Sequence, residues 1–156
     1  SDLGRALQTA EIIANRLSLR IHRDMRLRER NLGILQGFTR EQFESQYPAE
    51  SLRFNAADPD YRLPGGESLR ELFDRCVACA EEIVESNAGK NILIVSHGGV
   101  LKSFFHRAIQ LPLTEPRRFS LFNASINSFF LTGDQWHLDT WGEVSHLDDL
   151  QVLDDK

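Results

Sequence analysis

Apolar residues recur at three- and four-residue intervals in several stretches of the chain, which is the pattern of amphipathic helices. Ser1 or Asp2 is a candidate cap for the first predicted helix, whose apolar face consists of Leu3, Ala6, Leu7, Ala10, Ile13 and Leu17. Ser68 and Glu71 have the spacing of a capping box, and the long apolar face after them consists of Leu69, Leu72, Phe73, Cys76, Val77, Ala80, Ile83 and Val84. Shorter helices are predicted from Thr39 to just before Pro48, and after His97 through Val100, Leu101, Phe104, Phe105, Ala108 and Ile109.

Other stretches have the patterns of β-strands. The run from Asn91 to Ser96 is almost entirely apolar and lies between two predicted helices, which predicts a parallel strand buried on both faces. A short strand is predicted at Leu19 to His22. A hairpin is predicted where Ile126 to Leu131 and Trp136 to Trp141 flank Thr132-Gly133-Asp134-Gln135. Together these elements predict an α/β fold.

In two segments the apolar residues follow neither a helical nor a strand period. Glu50 to Gly66 contains Pro59, Pro64 and paired glycines, and it predicts an irregular excursion of the kind that often covers a binding site. Asp148 to Lys156 is predicted to be a frayed acidic tail. Because no repeat or linker interrupts the sequence, we expect residues 1–156 to form a single domain.

Composition narrows the classes of partner. The 156 residues carry a formal net charge of −5, which argues against broad nucleic-acid binding but permits a local positive site for an anionic small molecule. The apolar runs are too short to span a bilayer, and no signal peptide is visible, so we expect a cytoplasmic protein without a membrane partner. Cys76 and Cys79 are predicted to be buried thiols rather than a metal or redox pair.

His97 is the first candidate for a ligand-binding or catalytic residue. It stands at the carboxyl end of the predicted buried strand and is followed by Gly98, Gly99 and a helix. Open α/β sheets bind ligands at this position, where free backbone N–H groups attract anions and glycines allow close approach. The alternative is a histidine that merely caps the strand end by hydrogen bonding.

Arg5 and Glu29 are weaker candidates. An arginine in the first turn of a helix is poorly placed for the helix dipole, so Arg5 is easier to explain if it faces an anion, although a solvated surface arginine is an equal alternative. Glu29, between Arg28 and Arg30, is a candidate general acid in a covered site. On spacing alone, a surface salt-bridge cluster is the better interpretation of Glu29.

Four ordered blocks along nearly the whole chain resemble the histidine phosphatase (phosphoglycerate mutase-like) superfamily. They are Ser1-Asp-Leu-Gly-Arg5-Ala-Leu-Gln-Thr-Ala10, Leu27-Arg-Glu29-Arg-Asn-Leu-Gly33-Ile-Leu-Gln-Gly37, Pro64-Gly-Gly-Glu67-Ser68 and Val95-Ser-His97-Gly-Gly99. The resemblance implies a three-layer sandwich with a mostly parallel sheet. It also implies that Arg5, His97 and Gly98 hold the phosphoryl group and that Glu29 donates a proton to the leaving oxygen. No metal or cofactor is implied.

The sequence departs from the family at one point. Family members begin with a strand that ends in Arg-His-Gly, whose histidine is phosphorylated, and no Arg-His-Gly occurs here. A chain that lacks this segment by truncation is the first explanation, and a natural pseudoenzyme is the second. In either case we expect the 156 residues alone to be inactive.

Three functions remain open under the resemblance. The first is a phosphomonoester hydrolase acting through a phosphohistidine on a small phosphorylated metabolite; the second is a phosphoglycerate mutase; the third is a noncatalytic phosphate-binding module. Cofactor-dependent mutases resemble this pattern with a longer insertion than the interval between Gly37 and Gly65, so a hydrolase is favoured. A homodimer is compatible with the sequence.

Overall fold

The computed structural model describes residues 1–150, in which five α-helices are joined to one β-hairpin. The helices are α1 (Gly4–Leu17), α2 (Arg40–Gln46), α3 (Pro48–Asn55), α4 (Leu69–Glu85) and α5 (Gly98–Ala108). The strands are β1 (Ile126–Thr132) and β2 (Gln135–Glu143). Short 3-10 helices lie at Met25–Leu27, Gly33–Leu35 and Ser145–Leu150. The rest of the predicted acidic tail lies outside the described residues.

Local signals predicted the helix starts well where the capping groups are close in sequence. Thr39 and Gln42 form a capping box at α2, and Ser68 and Glu71 form one at α4. The predicted cap of α1 is wrong, because its N-cap residue is Leu3, which has no side-chain cap bond. The Asp2 carboxylate instead pairs with the Arg28 guanidinium at 2.6 Å.

The excursion predicted from Glu50 to Gly66 is partly helical, which corrects that expectation. Helix α3 extends to Asn55 and begins with Pro48 at its first position, where proline has a suitable φ and its missing N–H costs nothing. Only the remainder, which contains Pro59 and Pro64, is irregular.

The core lies between α4, α5 and the hairpin. Helix α4 contributes Leu72 and Val77 with both cysteines, and α5 contributes Val100 and Phe104. The Phe104 ring packs against the Trp136 ring of β2, with centroids 5.3 Å apart. Both cysteines are buried and unbridged, and burial raises the pKa of each thiol to about 11. The prediction of buried thiols is therefore confirmed, and these thiols stay protonated near neutral pH.

The predicted hairpin is confirmed. Strands β1 and β2 pair antiparallel from Thr132 with Gln135 at the turn to Ile126 with Glu143 at the open end. The two-residue loop contains Gly133 at φ +63°, a left-handed conformation that glycine adopts without strain.

The predicted parallel strand at Asn91 to Ser96 is not formed within residues 1–150, whose only sheet is the antiparallel hairpin. The segment has no strand partner there, and Ile92 and Leu93 are 37% and 58% exposed rather than buried. Leu19 to His22 is likewise not a strand. An apolar run indicates that its side chains favour burial. A β-strand also needs a neighbouring strand to form hydrogen bonds with its backbone N–H and C=O groups. The α/β class stands, with helices around a small sheet.

Among the described residues, no helix has the length and apolar character needed to cross a membrane.

Candidate active site

His97 occupies the junction between the extended segment and α5. It is the N-cap residue of α5 and is only 7% exposed. Its Nε2 lies 2.9 Å from the Ser1 hydroxyl oxygen. Burial lowers the pKa of His97, and the positive charge of Arg5 lowers it further. The imidazole is therefore mostly neutral near pH 7 in the protein without a bound anion.

The start of α1 is fastened to the His97 segment through Ser1. The Ser1 nitrogen donates a hydrogen bond to the Val95 carbonyl oxygen at 2.9 Å, and the Ser1 hydroxyl accepts one from the Leu3 N–H at 3.3 Å. Arg5 follows in the first turn of α1 with an exposed side chain. Sequence reasoning treated Ser1 only as a cap, and no local signal indicated its contact with His97, 96 positions away.

The Glu29 carboxylate reaches the beginning of α5. Its Oε1 accepts a hydrogen bond from the Arg30 N–H at 2.8 Å, and its Oε2 accepts one from the Gly99 N–H at 3.1 Å. A Cβ atom on Gly99 would overlap Glu29 Oε1, so glycine at position 99 makes this approach possible. The surface salt-bridge interpretation of Glu29 is thus wrong, because the carboxylate is half-buried and contacts backbone N–H groups instead.

Arg75 of α4 holds the loop that carries Glu29. Its guanidinium donates to the carbonyl oxygens of Arg26, Arg28 and Glu29 at 2.6, 3.0 and 3.2 Å. It also forms an ion pair with Glu67 at 2.6 Å. Burial opposes ionisation of Glu67, but the hydrogen bond from Arg75 outweighs it and lowers the pKa of the Glu67 carboxyl. Sequence reasoning missed Arg75, which lies far from this loop along the chain.

Two of the sequence blocks form one structural unit beside Glu29. The Glu67 N–H donates to the Asn31 carbonyl oxygen at 2.8 Å, and the Ile34 N–H donates to the Pro64 carbonyl oxygen at 3.0 Å. Gly33 has φ +51°, and a Cβ atom there would overlap the Pro64 carbonyl oxygen. The glycines of these blocks therefore permit two backbones to lie in direct contact.

Gly98 is the first residue of α5, and its backbone lies between His97 and the N–H group that binds Glu29. The N–H groups of a first helical turn have no acceptor within the helix, and they carry partial positive charge. The predicted residues Arg5, Glu29, His97 and Gly98 thus lie around the beginning of α5. A guanidinium, an imidazole and backbone N–H groups suit a tetrahedral anion, and a carboxyl group beside them suits proton transfer.

The other four histidines lie elsewhere. His22 is exposed, His106 is buried within α5, His137 stacks on Phe130 with ring centroids 4.7 Å apart, and His146 Nε2 lies 3.1 Å from the Ala124 carbonyl oxygen.

Comparison with known proteins gives consistent matches. The family description "Histidine phosphatase superfamily (branch 1)" matches residues 1–144. A phosphoglycerate mutase-like protein of Arabidopsis thaliana is 38% identical over 98% of this chain, which spans 66% of that relative's length. The solved structure of Bacillus stearothermophilus YhfR is 31% identical, with a TM-score of 0.83 over 95% of this chain and 74% of that one. A mycobacterial glucosyl-3-phosphoglycerate phosphatase, solved with inorganic phosphate, is 30% identical, with a TM-score of 0.78 over 91% of this chain and 74% of that one.

Proposed function

The chain belongs to the histidine phosphatase superfamily, and from this premise we propose that it carries the phosphoryl-binding and proton-donating groups of a phosphomonoester hydrolase. The substrate class is a small phosphorylated metabolite, and the intermediate is a phosphohistidine. The observation that carries the proposal is the hydrogen bond from the Gly99 N–H to the Glu29 carboxylate, two residues from His97. This contact joins a candidate proton donor to a candidate anion site.

Each group has a distinct task in this proposal. Arg5, His97 and the Gly98 backbone bind the phosphoryl oxygens and stabilise the charge that spreads over them in the transition state. The bound anion attracts a proton onto His97, which then donates a hydrogen bond to it. Glu29, in its protonated form, delivers a proton to the leaving alkoxide oxygen.

Covalent transfer needs a further histidine. The imidazole nitrogen of that histidine forms a bond to phosphorus while the bond from phosphorus to the ester oxygen breaks, and the Glu29 proton passes to that oxygen. Water then attacks phosphorus, Glu29 accepts the water proton, and the bond between phosphorus and nitrogen breaks. In the family this histidine belongs to an Arg-His-Gly segment, which does not occur among the 156 residues. We therefore expect no appreciable turnover from these residues alone.

Hydrolysis is favoured over phosphoryl transfer to a second hydroxyl because of the short interval between Gly37 and Gly65. Helices α2 and α3 occupy most of this interval. A cover of this size is expected to leave water access to the phosphoenzyme, whereas a mutase must keep water out until the acceptor hydroxyl reacts.

Turnover in two forms of the protein tests the proposal. The 156-residue chain is compared with a longer form that carries a strand and an Arg-His-Gly loop ahead of Ser1, using p-nitrophenyl phosphate and glycerol 3-phosphate. We expect activity only in the longer form, and His97→Ala should lower its turnover about 100- to 1,000-fold. His22→Ala, on the exposed surface, is the matched control and should retain full activity.

Robust turnover by the 156 residues alone would contradict the need for an Arg-His-Gly histidine. Equal effects of His97→Ala and His22→Ala in the longer form would remove His97 from the site. With glycerate added as an acceptor, transfer of the phosphoryl group to a glycerate hydroxyl, in place of phosphate release, would identify a mutase.

A further inference from the structure

A cavity of about 330 Å³ lies beside the candidate active site, between α5 and the segments that contain Phe54 and Arg117. Three cationic side chains line it, namely Arg30, Lys102 and Arg117. The aromatic rings of Phe54 and Tyr61 contribute apolar surface. Two exposed carboxylates, Asp58 and Glu115, also line the cavity, so positive charge exceeds negative charge by one.

Lys102 has no anionic partner within the described part of the chain. Its side chain is half-buried, and it takes part in none of the ion pairs or hydrogen bonds found there. Burial lowers the pKa of the Lys102 ammonium group, and the charges of Arg117 and Arg30 lower it further. A half-buried ammonium group beside two guanidinium groups is stabilised by an anion that enters among them.

Arg30 is similarly free of a direct carboxylate contact through its side chain. Its guanidinium donates to the backbone carbonyl oxygens of Glu67 and Tyr61 at 3.1 and 3.3 Å, and it packs over the Phe54 ring at 5.5 Å. These contacts fix the orientation of the guanidinium in the cavity wall. Within residues 1–150 no carboxylate lies at hydrogen-bond distance from it, although the charges of Glu67 and Glu29 act on it.

The cavity adjoins the candidate active site at two places. Arg30 directly follows Glu29, the candidate proton donor. Lys102 lies one helical turn beyond Gly98 and Gly99 on α5, and residues at this spacing share a helix face. A molecule whose phosphoryl group contacts the beginning of α5 can therefore extend its leaving-group portion toward Lys102.

We propose that this cavity binds a second anionic group, a carboxylate or another phosphate, on the leaving-group portion of the substrate. The inference rests on the proposed function and narrows its substrate class to phosphomonoesters with a second anion. The aromatic and apolar wall accommodates the carbon skeleton between the two charges.

Anion binding without turnover tests the cavity separately from the phosphatase proposal. D-glycerate, which has a carboxylate but no phosphoryl group, is titrated into the 156-residue chain while backbone amide resonances are followed by NMR. We expect the largest shifts at the cavity residues, and Lys102→Gln should weaken binding about tenfold. Lys90→Gln, which changes an exposed lysine outside the cavity, is the matched control and should leave binding unchanged.

Glycerate binding that Lys102→Gln and Lys90→Gln affect equally would overturn the inference, as would shifts confined to residues outside the cavity. Because the glycerate titration does not require catalysis, it tests the cavity even if the protein is inactive. Conversely, an active hydrolase whose cavity binds neither glycerate nor inorganic phosphate would retain the proposed function and lose only this inference.

Kinetics in the longer form distinguish the two kinds of anion. Lys102→Gln should raise KM about tenfold for 3-phosphoglycerate if a carboxylate is bound, or for fructose 1,6-bisphosphate if a phosphate is bound. Values for glycerol 3-phosphate, which has no second anion, should stay the same. Equal increases for all three substrates would contradict recognition of a second anionic group.

Discussion

At the scale of single residues, the site depends on contacts that sequence motifs identify only in part. The types and order of Arg5, Glu29 and His97 allowed roles to be proposed for them from a family resemblance, and these roles stay predictions. Their geometry was not predictable, because the hydrogen bond between Glu29 and Gly99 joins positions 70 apart in the chain. Ser1 and Arg75 were missed for the same reason, since each acts on backbone or side chains that are remote in sequence.

Glu29 gives the first prediction. In the longer form, Glu29→Gln should lower turnover of glycerol 3-phosphate much more than turnover of p-nitrophenyl phosphate. An alkoxide leaving group needs the proton that Glu29 supplies, whereas nitrophenolate leaves without one. Steady-state kinetics on both substrates provide the comparison, and equal losses for the two leaving groups would exclude Glu29 as the general acid.

His106 gives a second prediction at this scale. His106 is buried, its Nδ1 lies 3.1 Å from the Leu111 carbonyl oxygen, and its Nε2 has no hydrogen-bond partner within the described residues. Burial lowers the pKa of His106 in the folded protein. The unfolded chain therefore binds a proton at higher pH than the folded one, and stability falls as the pH drops below about 6.5 toward the folded pKa.

His106→Asn isolates this contribution, because an asparagine amide can still donate to the Leu111 carbonyl oxygen but does not titrate. Urea unfolding at pH 7.5 and pH 5.5 should show that the wild type loses more stability than the variant, by up to about 1.4 kcal/mol per pH unit. Parallel losses in the two proteins would show that His106 does not contribute to acid sensitivity.

At the scale of elements, local signals predicted those features that local chemistry determines. The helix start at Thr39, the capping box at Ser68, the helical periodicity of α4 and the turn at Gly133 all rely on groups a few residues apart, and all are present. The segment from Asn91 to Ser96 differs, because strand formation requires a neighbouring strand that no local pattern supplies. We predict that this segment pairs with the family's first strand in a form of the protein that contains it.

Arg75 supports a prediction about the loop that carries Glu29, which lies between the 3-10 helices Met25–Leu27 and Gly33–Leu35. Arg75→Met should destabilise the protein by about 3 kcal/mol, because it leaves Glu67 and three carbonyl groups without their partner in a mostly buried position. Arg40→Met, which breaks an exposed pair with Glu44, should cost no more than about 0.5 kcal/mol. Urea unfolding of both variants gives the comparison, and equal costs would show that the Arg75 network does not hold the loop.

At the scale of the whole molecule, charge is distributed unevenly. The chain has a formal net charge of −5, yet Arg5, Arg30, Lys102 and Arg117 lie at the candidate site or its neighbouring cavity. A local excess of positive charge in an acidic protein favours small anions over extended polyanions such as nucleic acids. The core between α4, α5 and the hairpin fixes the first turn of α5, which follows His97 and carries the Gly99 N–H group that donates to Glu29.

The most direct test of the central claim is an NMR titration of His97 in the presence and absence of sulfate, a dianion whose own charge does not change between pH 5 and pH 8. We predict that sulfate raises the pKa of His97, because a bound anion favours the charged imidazole, and that Arg5→Ala greatly reduces this increase. Sulfate would then bind more tightly as the pH falls through the pKa of His97. A His97 titration that sulfate does not change, in a protein that binds sulfate elsewhere, would contradict the account of Arg5, His97 and the beginning of α5 as one phosphoryl-binding site.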